Sequence, residues 1–270
     1  MKTIGFIGGG NMAQALLEGI IKAGLFGVNN IWISDVRSER LDELKARYGV
    51  HVTSDNTELT AQTDILVLSV KPQVMAEALN GIAGTLKKDA VVISIAAGIT
   101  TDAIKAKLGD VQIVRVMPNT PALVGTGASG LFNAGASDEA LKVAMDICNS
   151  VGTSIVVDDE SLIDAVTAVS GSGPAYFFLL MEEMIKTGTK LGLPEETAKT
   201  LVLQTAKGAA LLAESARQQG ETPAILRQKV TSPGGTTEAA LKIFAENKIS
   251  EMVLYALTAA RDRGQELSAG

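Results

Sequence analysis

The chain is poor in the residues that most often carry chemistry. Its 270 residues include one cysteine, Cys148, and one histidine, His51. A single cysteine excludes a disulfide framework and a thiolate metal site, and a single histidine excludes most imidazole-ligated metals, so no metal is expected. Aromatic residues make up 4% of the chain and the formal net charge is −6, which argues against a nucleic-acid surface. No uninterrupted apolar run approaches the roughly 18 residues of a membrane span. The Met-Lys-Thr start leads straight into a strand-like segment without a hydrophobic leader. A cytoplasmic protein with no membrane partner is expected. Any bound anion must then be held by a local device rather than by the overall field.

What is present has two textures. Up to about Val157, short β-branched runs alternate with helical stretches, the pattern of βαβ units around a parallel sheet. The runs are 3–7, 31–34, 65–70, 91–95, 113–117 and 154–157. Beyond them the strands stop, and 162–170, 175–191, 195–218, 224–230, 237–245 and 250–266 read as helices broken at Gly-Pro, Leu-Pro and Pro-Gly-Gly points. The expected organisation is an α/β domain over 1–160 and an all-α domain over 161–270.

Within Ile4-Gly-Phe-Ile-Gly-Gly-Gly-Asn-Met-Ala13, Gly8, Gly10 and Ala13 fit G-x-G-x-x-A between an apolar strand and a helix. Gly8 permits the tight turn, Gly10 lets a pyrophosphate approach the backbone, and Ala13 allows close helix packing. The helix start at Asn11 and Met12 then faces the phosphates. A glycine turn serves plain strand-to-helix geometry equally well; the βα units that follow favour a Rossmann-type dinucleotide site. At the second strand end, Asp35 suits a ribose 2′-hydroxyl and hence NAD, whereas Ser34, Arg37 and Arg40 suit a 2′-phosphate and hence NADP. The local signal is split. Later strand ends place Val70, Lys71, Pro72, Ala96 and Ala97 along the cofactor track, with Asn119 and Thr120 near the nicotinamide end.

The helical half offers two oxygen-rich helix starts. Val169-Ser-Gly-Ser-Gly-Pro-Ala-Tyr176 caps a helix at Ser172 or Gly173, either as an ordinary start or aimed at an active site. β-Hydroxyacid dehydrogenases carry a catalytic lysine about one turn beyond a similar Gly-x-Gly; here Phe177 stands there. In Val230-Thr-Ser-Pro-Gly-Gly-Thr-Thr237, Ser232, Gly234, Gly235, Thr236 and Thr237 gather hydroxyls and backbone N–H groups. They read as a carboxylate receptor or as a tight inter-helix turn. His51 reads as a strand-edge residue, Cys148 as core, and Asp158-Asp159-Glu160 as a solvated junction.

Taken together with Val70-Lys-Pro72, Ser94-Ile-Ala-Ala-Gly98 and Met117-Pro-Asn-Thr-Pro121, these motifs make the chain resemble a pyrroline-5-carboxylate reductase over its whole length. The resemblance implies NAD(P)H-dependent reduction of the small molecule L-1-pyrroline-5-carboxylate to L-proline, the last step of proline biosynthesis. It implies that the 232–237 turn grips the substrate carboxylate, that Thr237 is the catalytic contact to the ring nitrogen, and that Asn56 meets the adenosine ribose. NADPH is the expected cofactor, with NADH open because many members lack an acid at position 35. The helical half is then a dimerisation domain, with each site shared between subunits of a homodimer that can stack into a larger ring. The chemistry agrees: a protonated cyclic imine is already electrophilic, so hydride transfer needs alignment more than a strong acid or base. The small, apolar stretch 198–213 suits a buried helix pair.

Overall fold

A computed structural model describes residues 2–269. Eight strands, β1 (Ile4–Ile7), β2 (Ile31–Ser34), β3 (His51–Thr53), β4 (Ile65–Leu68), β5 (Val91–Ser94), β6 (Gln112–Met117), β7 (Gly127–Asn133) and β8 (Gly152–Val157), form one sheet in the order β3-β2-β1-β4-β5-β6-β7-β8. All neighbours are parallel except β6 and β7. Every residue of β1, β4 and β5 is buried, as a parallel sheet covered on both faces requires. Side chains alternate between faces. Ile4, Phe6, Val67, Ile93 and Val114 pack with Leu16, Leu17 and Ile20 of α1 (Asn11–Lys22) and with Ala144 and Ile147 of α6 (Asp138–Asn149). Ile7, Leu66, Leu68, Val92 and Ile113 pack with Leu59 of α3 (Asn56–Gln62), Leu79 of α4 (Pro72–Ile82) and Ile104 of α5 (Thr101–Leu108). The chain winds outward from β1 first one way, through α2 (Ser38–Tyr48), then the other. That reversal makes the crevice at the carboxyl end of β1 the place for a ligand.

The six expected strands form. Two more appear: β3, and β7, whose GASGLFN sequence carries too many small residues to read as a strand.

The helical part comprises α7 (Leu162–Val166), a π-helical segment (Thr167–Gly171), α8 (Gly173–Lys190), α9 (Glu195–Arg217), α10 (Pro223–Lys229), α11 (Thr236–Glu246) and α12 (Ile249–Ala269). At the expected break a new α-helix starts at Gly173, but the chain keeps right-handed helical geometry up to it. Ser172, the bend that caps the π segment, keeps right-handed backbone angles at φ −85°, and its N–H donates to Thr167 O at 2.8 Å, the widened bond of a π turn. Pro174 has no N–H to give the Ser170 carbonyl four residues back; the Asn119 side-chain amide donates to it instead, at 3.2 Å. The resulting 29-residue run Leu162–Lys190 is, by length and composition alone, apolar enough to cross a membrane. Interspersed Thr, Ser and Gly hide this from a search for unbroken apolar sequence.

The described residues gather into two compact units. One runs to Pro174 and takes back the chain from Ala259 onward; the other is Ala175–Thr258. The division falls later than the change of texture near Ser161 because α7 packs on β6 and β7. In the second unit the buried hydrophobic residues, among those described, are Ala198, Val202 and Ala216.

Candidate active site

The glycine turn is shaped by contacts that only glycine accommodates. Gly8 has φ +98°, and a Cβ there would lie 2.9 Å from Ser69 O and 3.0 Å from Val70 Cγ1. Its N–H donates to Ser34 O at 2.8 Å, while the Ser69 hydroxyl donates to Gly8 O at 2.7 Å. Gly10 is the N-cap of α1, extended, without a capping side chain, and no acid lies in the first turn. A Cβ on Gly10 would meet nothing within 4 Å. The first N–H groups of α1 have no acceptor within the helix, and the helix dipole lies behind them. Asn11 is exposed there, and Met12 is half-buried against the core.

The carboxyl end of β2 is already wired. Ser34 is 1% exposed, and its hydroxyl donates to Asn56 Oδ1 at 2.6 Å, so it orients Asn56 rather than offering a free hydroxyl. Asp35 accepts the Gly9 N–H at 2.9 Å and the Arg37 N–H at 3.0 Å. It also holds the Arg37 guanidinium at 2.9 and 3.0 Å. Burial disfavours the Asp35 charge, but the Arg37 and Gly9 donors more than offset it and bring its carboxyl down to about 2. Arg40, weighed as a 2′-phosphate contact, clamps the turn. It donates to Gly9 O at 2.7 Å, to Gln14 Oε1 at 2.5 Å and to Glu43 Oε2 at 2.7 Å.

Further along the crevice, Lys71 is the exposed N-cap of α4 and Pro72 its first residue, with Val70 half-buried before them. Ala96 is buried in the core and Ala97 half-buried on the turn after β5. Asn119 accepts the Ala128 N–H at 2.9 Å and donates to the π segment at Ser170.

One cluster escaped the sequence reading. Arg115, 3% exposed between Val114 and Val116, donates to Glu160 Oε1 at 2.8 Å. Glu160 also accepts the Thr101 N–H at 2.8 Å and the Thr101 hydroxyl at 2.6 Å. Glu160 thus belongs to a buried polar cluster rather than to a solvated junction. Burial pushes the nearby Asp164 carboxyl up, Arg115 opposing and Glu160 reinforcing the shift. Partners 45 and 59 residues away leave no local pattern; a charge inside an apolar strand was the available signal. A cleft of about 690 Å³ lies at the amino ends of the strands between paired charges such as Lys2–Glu139 and Lys87–Asp64, away from the carboxyl ends where such sheets bind ligands.

In the second unit, Gly234 has φ +70°, and its N–H donates to Glu238 Oε2 at 2.7 Å. Gly235, whose N–H donates to Ser232 O at 3.0 Å, is the extended N-cap of α11 and gives no side-chain cap. The turn thus receives a carboxylate, that of its own Glu238. The first N–H groups of α11 and the Thr236 and Thr237 hydroxyls remain as donors. Beside the turn lies an open cleft of about 540 Å³ lined by Thr231, Gly234, Gly235, Glu238 and Lys242, but not by Thr236 or Thr237. Ser172 stands immediately before the start of α8, with its N–H spent inside the π turn.

Residues 160–267 match the family model described as pyrroline-5-carboxylate reductase dimerisation, and residues 3–98 the model described as NADP oxidoreductase, coenzyme F420-dependent. The chain is 47% identical to the pyrroline-5-carboxylate reductase of Pseudomonas aeruginosa over 267 residues, 98% of this chain and 96% of that protein. The chain belongs to the pyrroline-5-carboxylate reductase family. Among solved structures, that of a pyrroline-5-carboxylate reductase from Coxiella burnetii superposes with a TM-score of 0.91 at 41% identity, covering 99% and 98% of the two chains. The Plasmodium falciparum pyrroline carboxylate reductase with NADP bound gives 0.87 at 32% identity, again over 99% and 98%.

Membership in the reductase family places the exposed apolar side chains in context. Phe177 (65% exposed), Phe178, Leu179, Leu203, Leu211, Leu254 and Tyr255 (66%) all fall within the segment matched by the dimerisation model. Among the described residues no cluster of His, Cys, Asp and Glu could hold a metal.

Proposed function

We infer that this chain reduces L-1-pyrroline-5-carboxylate to L-proline with NAD(P)H, the final step of proline biosynthesis. The observation that carries this reading is a pair of uncapped, glycine-led helix starts, at Gly10 and at Gly235, in a chain that matches the reductase family over its whole length. One suits a pyrophosphate and the other a small carboxylate.

The nicotinamide supplies the hydride when bound. Gly8, Gly10, Asn11 and Met12 hold the pyrophosphate; Ser34, Arg37 and Asn56 face the adenosine ribose; Val70, Lys71, Pro72, Ala96 and Ala97 line the rest. NADPH is preferred through Arg37, and NADH is also accepted because Asp35 already holds that guanidinium. The substrate carboxylate displaces Glu238 from the Gly234 N–H and is held by the turn of Ser232, Gly234, Gly235 and Thr236. The Thr237 hydroxyl bonds the ring nitrogen, and Ser172 contributes only its hydroxyl. Alignment and charge at the carboxylate do the catalysis, since a protonated imine needs no proton abstraction.

The helices cover their apolar faces in a homo-oligomer whose unit is a dimer, with each site shared between copies and dimers able to stack into a ring. The Leu162–Lys190 helix serves that assembly rather than a bilayer, and the protein is cytoplasmic. Purified protein mixed with pyrroline-5-carboxylate and NADPH should consume the nicotinamide absorbance and yield proline. No consumption with either NADPH or NADH overturns the reading.

A further inference from the structure

The turn after β5 that carries Ala96 and Ala97 is held from both sides. On one side Glu160 grips Thr101, at the start of α5, with both carboxylate oxygens, at 2.8 Å to the N–H and 2.6 Å to the hydroxyl. Glu160 is itself fixed by the buried Arg115 on β6, at 2.8 Å. On the other side the last turns of α12 lie against the same segment. Gly98, at φ +71°, leaves room for Leu267, whose Cβ would stand 2.9 Å from any Cβ added there. Gly264, one turn earlier on α12, leaves only 3.2 Å between an added Cβ and Asp164 Oδ1, beside the same cluster. All these residues belong to the first compact unit. Few-residue turns have no core of their own, so their position follows whatever grips their ends.

We propose that Glu160 and Leu267 are positioning residues for the cofactor: acting through Thr101 and Gly98, they fix the Ala96–Ala97 turn against the nicotinamide half of the dinucleotide. Neither touches the cofactor. Both act on the part of it that lies along this turn and leave the adenosine end, held by the glycine turn and the β2 end, unaffected. The inference rests on the assignment of the Ala96–Ala97 turn to the cofactor track, and the test separates the two.

Glu160→Gln keeps an acceptor but removes the charge that Thr101 and Arg115 share; Leu267→Gly removes the Cβ that stands over Gly98. Binding is measured on the full-length protein by titration, with NADPH and with 2′-phospho-ADP-ribose, which lacks the nicotinamide. Glu160→Gln should bind NADPH about tenfold more weakly, the scale of one charge-assisted contact, and Leu267→Gly about threefold more weakly, the scale of a buried methylene, with affinity for 2′-phospho-ADP-ribose and the oligomeric state unchanged. Equal weakening of both ligands, or unchanged NADPH affinity in both variants, overturns the proposal. If the wild-type protein binds 2′-phospho-ADP-ribose and NADPH equally well, the turn does not meet the nicotinamide, and the underlying assignment fails with it. Binding needs no turnover, so the result is independent of which imine the protein reduces.

Discussion

The nucleotide half buries Phe6, Ile7, Leu16, Leu17, Ile20 and Leu66 almost completely, whereas Ala175–Thr258 buries only Ala198, Val202 and Ala216. Each fully buried Leu, Ile or Phe contributes about 1.5–3 kcal/mol, so the sheet half has a core of its own. Two alanines and a valine cannot offset a backbone entropy cost of about 1–2 kcal/mol per ordered residue. The same helices expose Leu203, Leu211, Leu212, Leu254 and Tyr255. The contrast teaches that the cofactor half is completed by its own chain, while the helices need a second copy to bury their apolar faces.

That contrast can be broken one side at a time. The largest effect is expected for Gly8→Val, which forces a branched side chain onto φ +98° and into Ser69 O. NADPH affinity should fall about 100-fold or more, while light scattering should still find the oligomer. Thr237→Ala should leave NADPH affinity alone and lower kcat about tenfold, roughly 1.4 kcal/mol of transition-state stabilisation, with Thr237→Ser retaining most of it. An unchanged kcat for Thr237→Ala would make the 232–237 turn merely structural. The next effect concerns Asp35, whose carboxyl is held at about 2 in the fold against about 3.9 in an unfolded chain. A depressed folded value contributes stability that is fully present above about pH 4 and lost as pH falls toward about 2. Asp35→Asn should therefore melt below wild type at neutral pH, and the two should converge as pH falls through that window. The smallest effect is Arg37→Ala, since an exposed ion pair is weak: kcat/KM for NADPH should drop roughly three- to fivefold with NADH unaffected.

Much of this was legible in the residues. Short apolar, β-branched runs mark β1, β2, β4 and β5, and the Gly8–Gly10 spacing marks the glycine turn because strand, turn and helix are all local. β7 was hidden because Gly127, Ala128, Ser129 and Gly130 lack strand propensity; antiparallel pairing with β6 and cover from Val166 over Gly130 supply what propensity does not. The π segment was hidden for a related reason. Pro174 signals a helix start locally, and the distant amide of Asn119, which meets the Ser170 carbonyl before it, leaves no local pattern. Arg40 suits a phosphate ligand by its position, and its guanidinium donates to Gly9 O, Gln14 and Glu43. Side chains whose partners lie in other elements were the ones misread or missed.

The central claim, that the cofactor half is complete within one chain and the catalytic unit is not, is tested most directly by Leu211→Glu. Leu211 is 55% exposed on α9 within one chain, and a carboxylate left unpaired in a buried helix interface costs about several kcal/mol. In one preparation, light scattering, NADPH titration and pyrroline-5-carboxylate turnover are measured together. The account predicts a monomer that binds NADPH with wild-type affinity and turns over little or no substrate. A monomer with full turnover, or one that has lost NADPH binding, would contradict it.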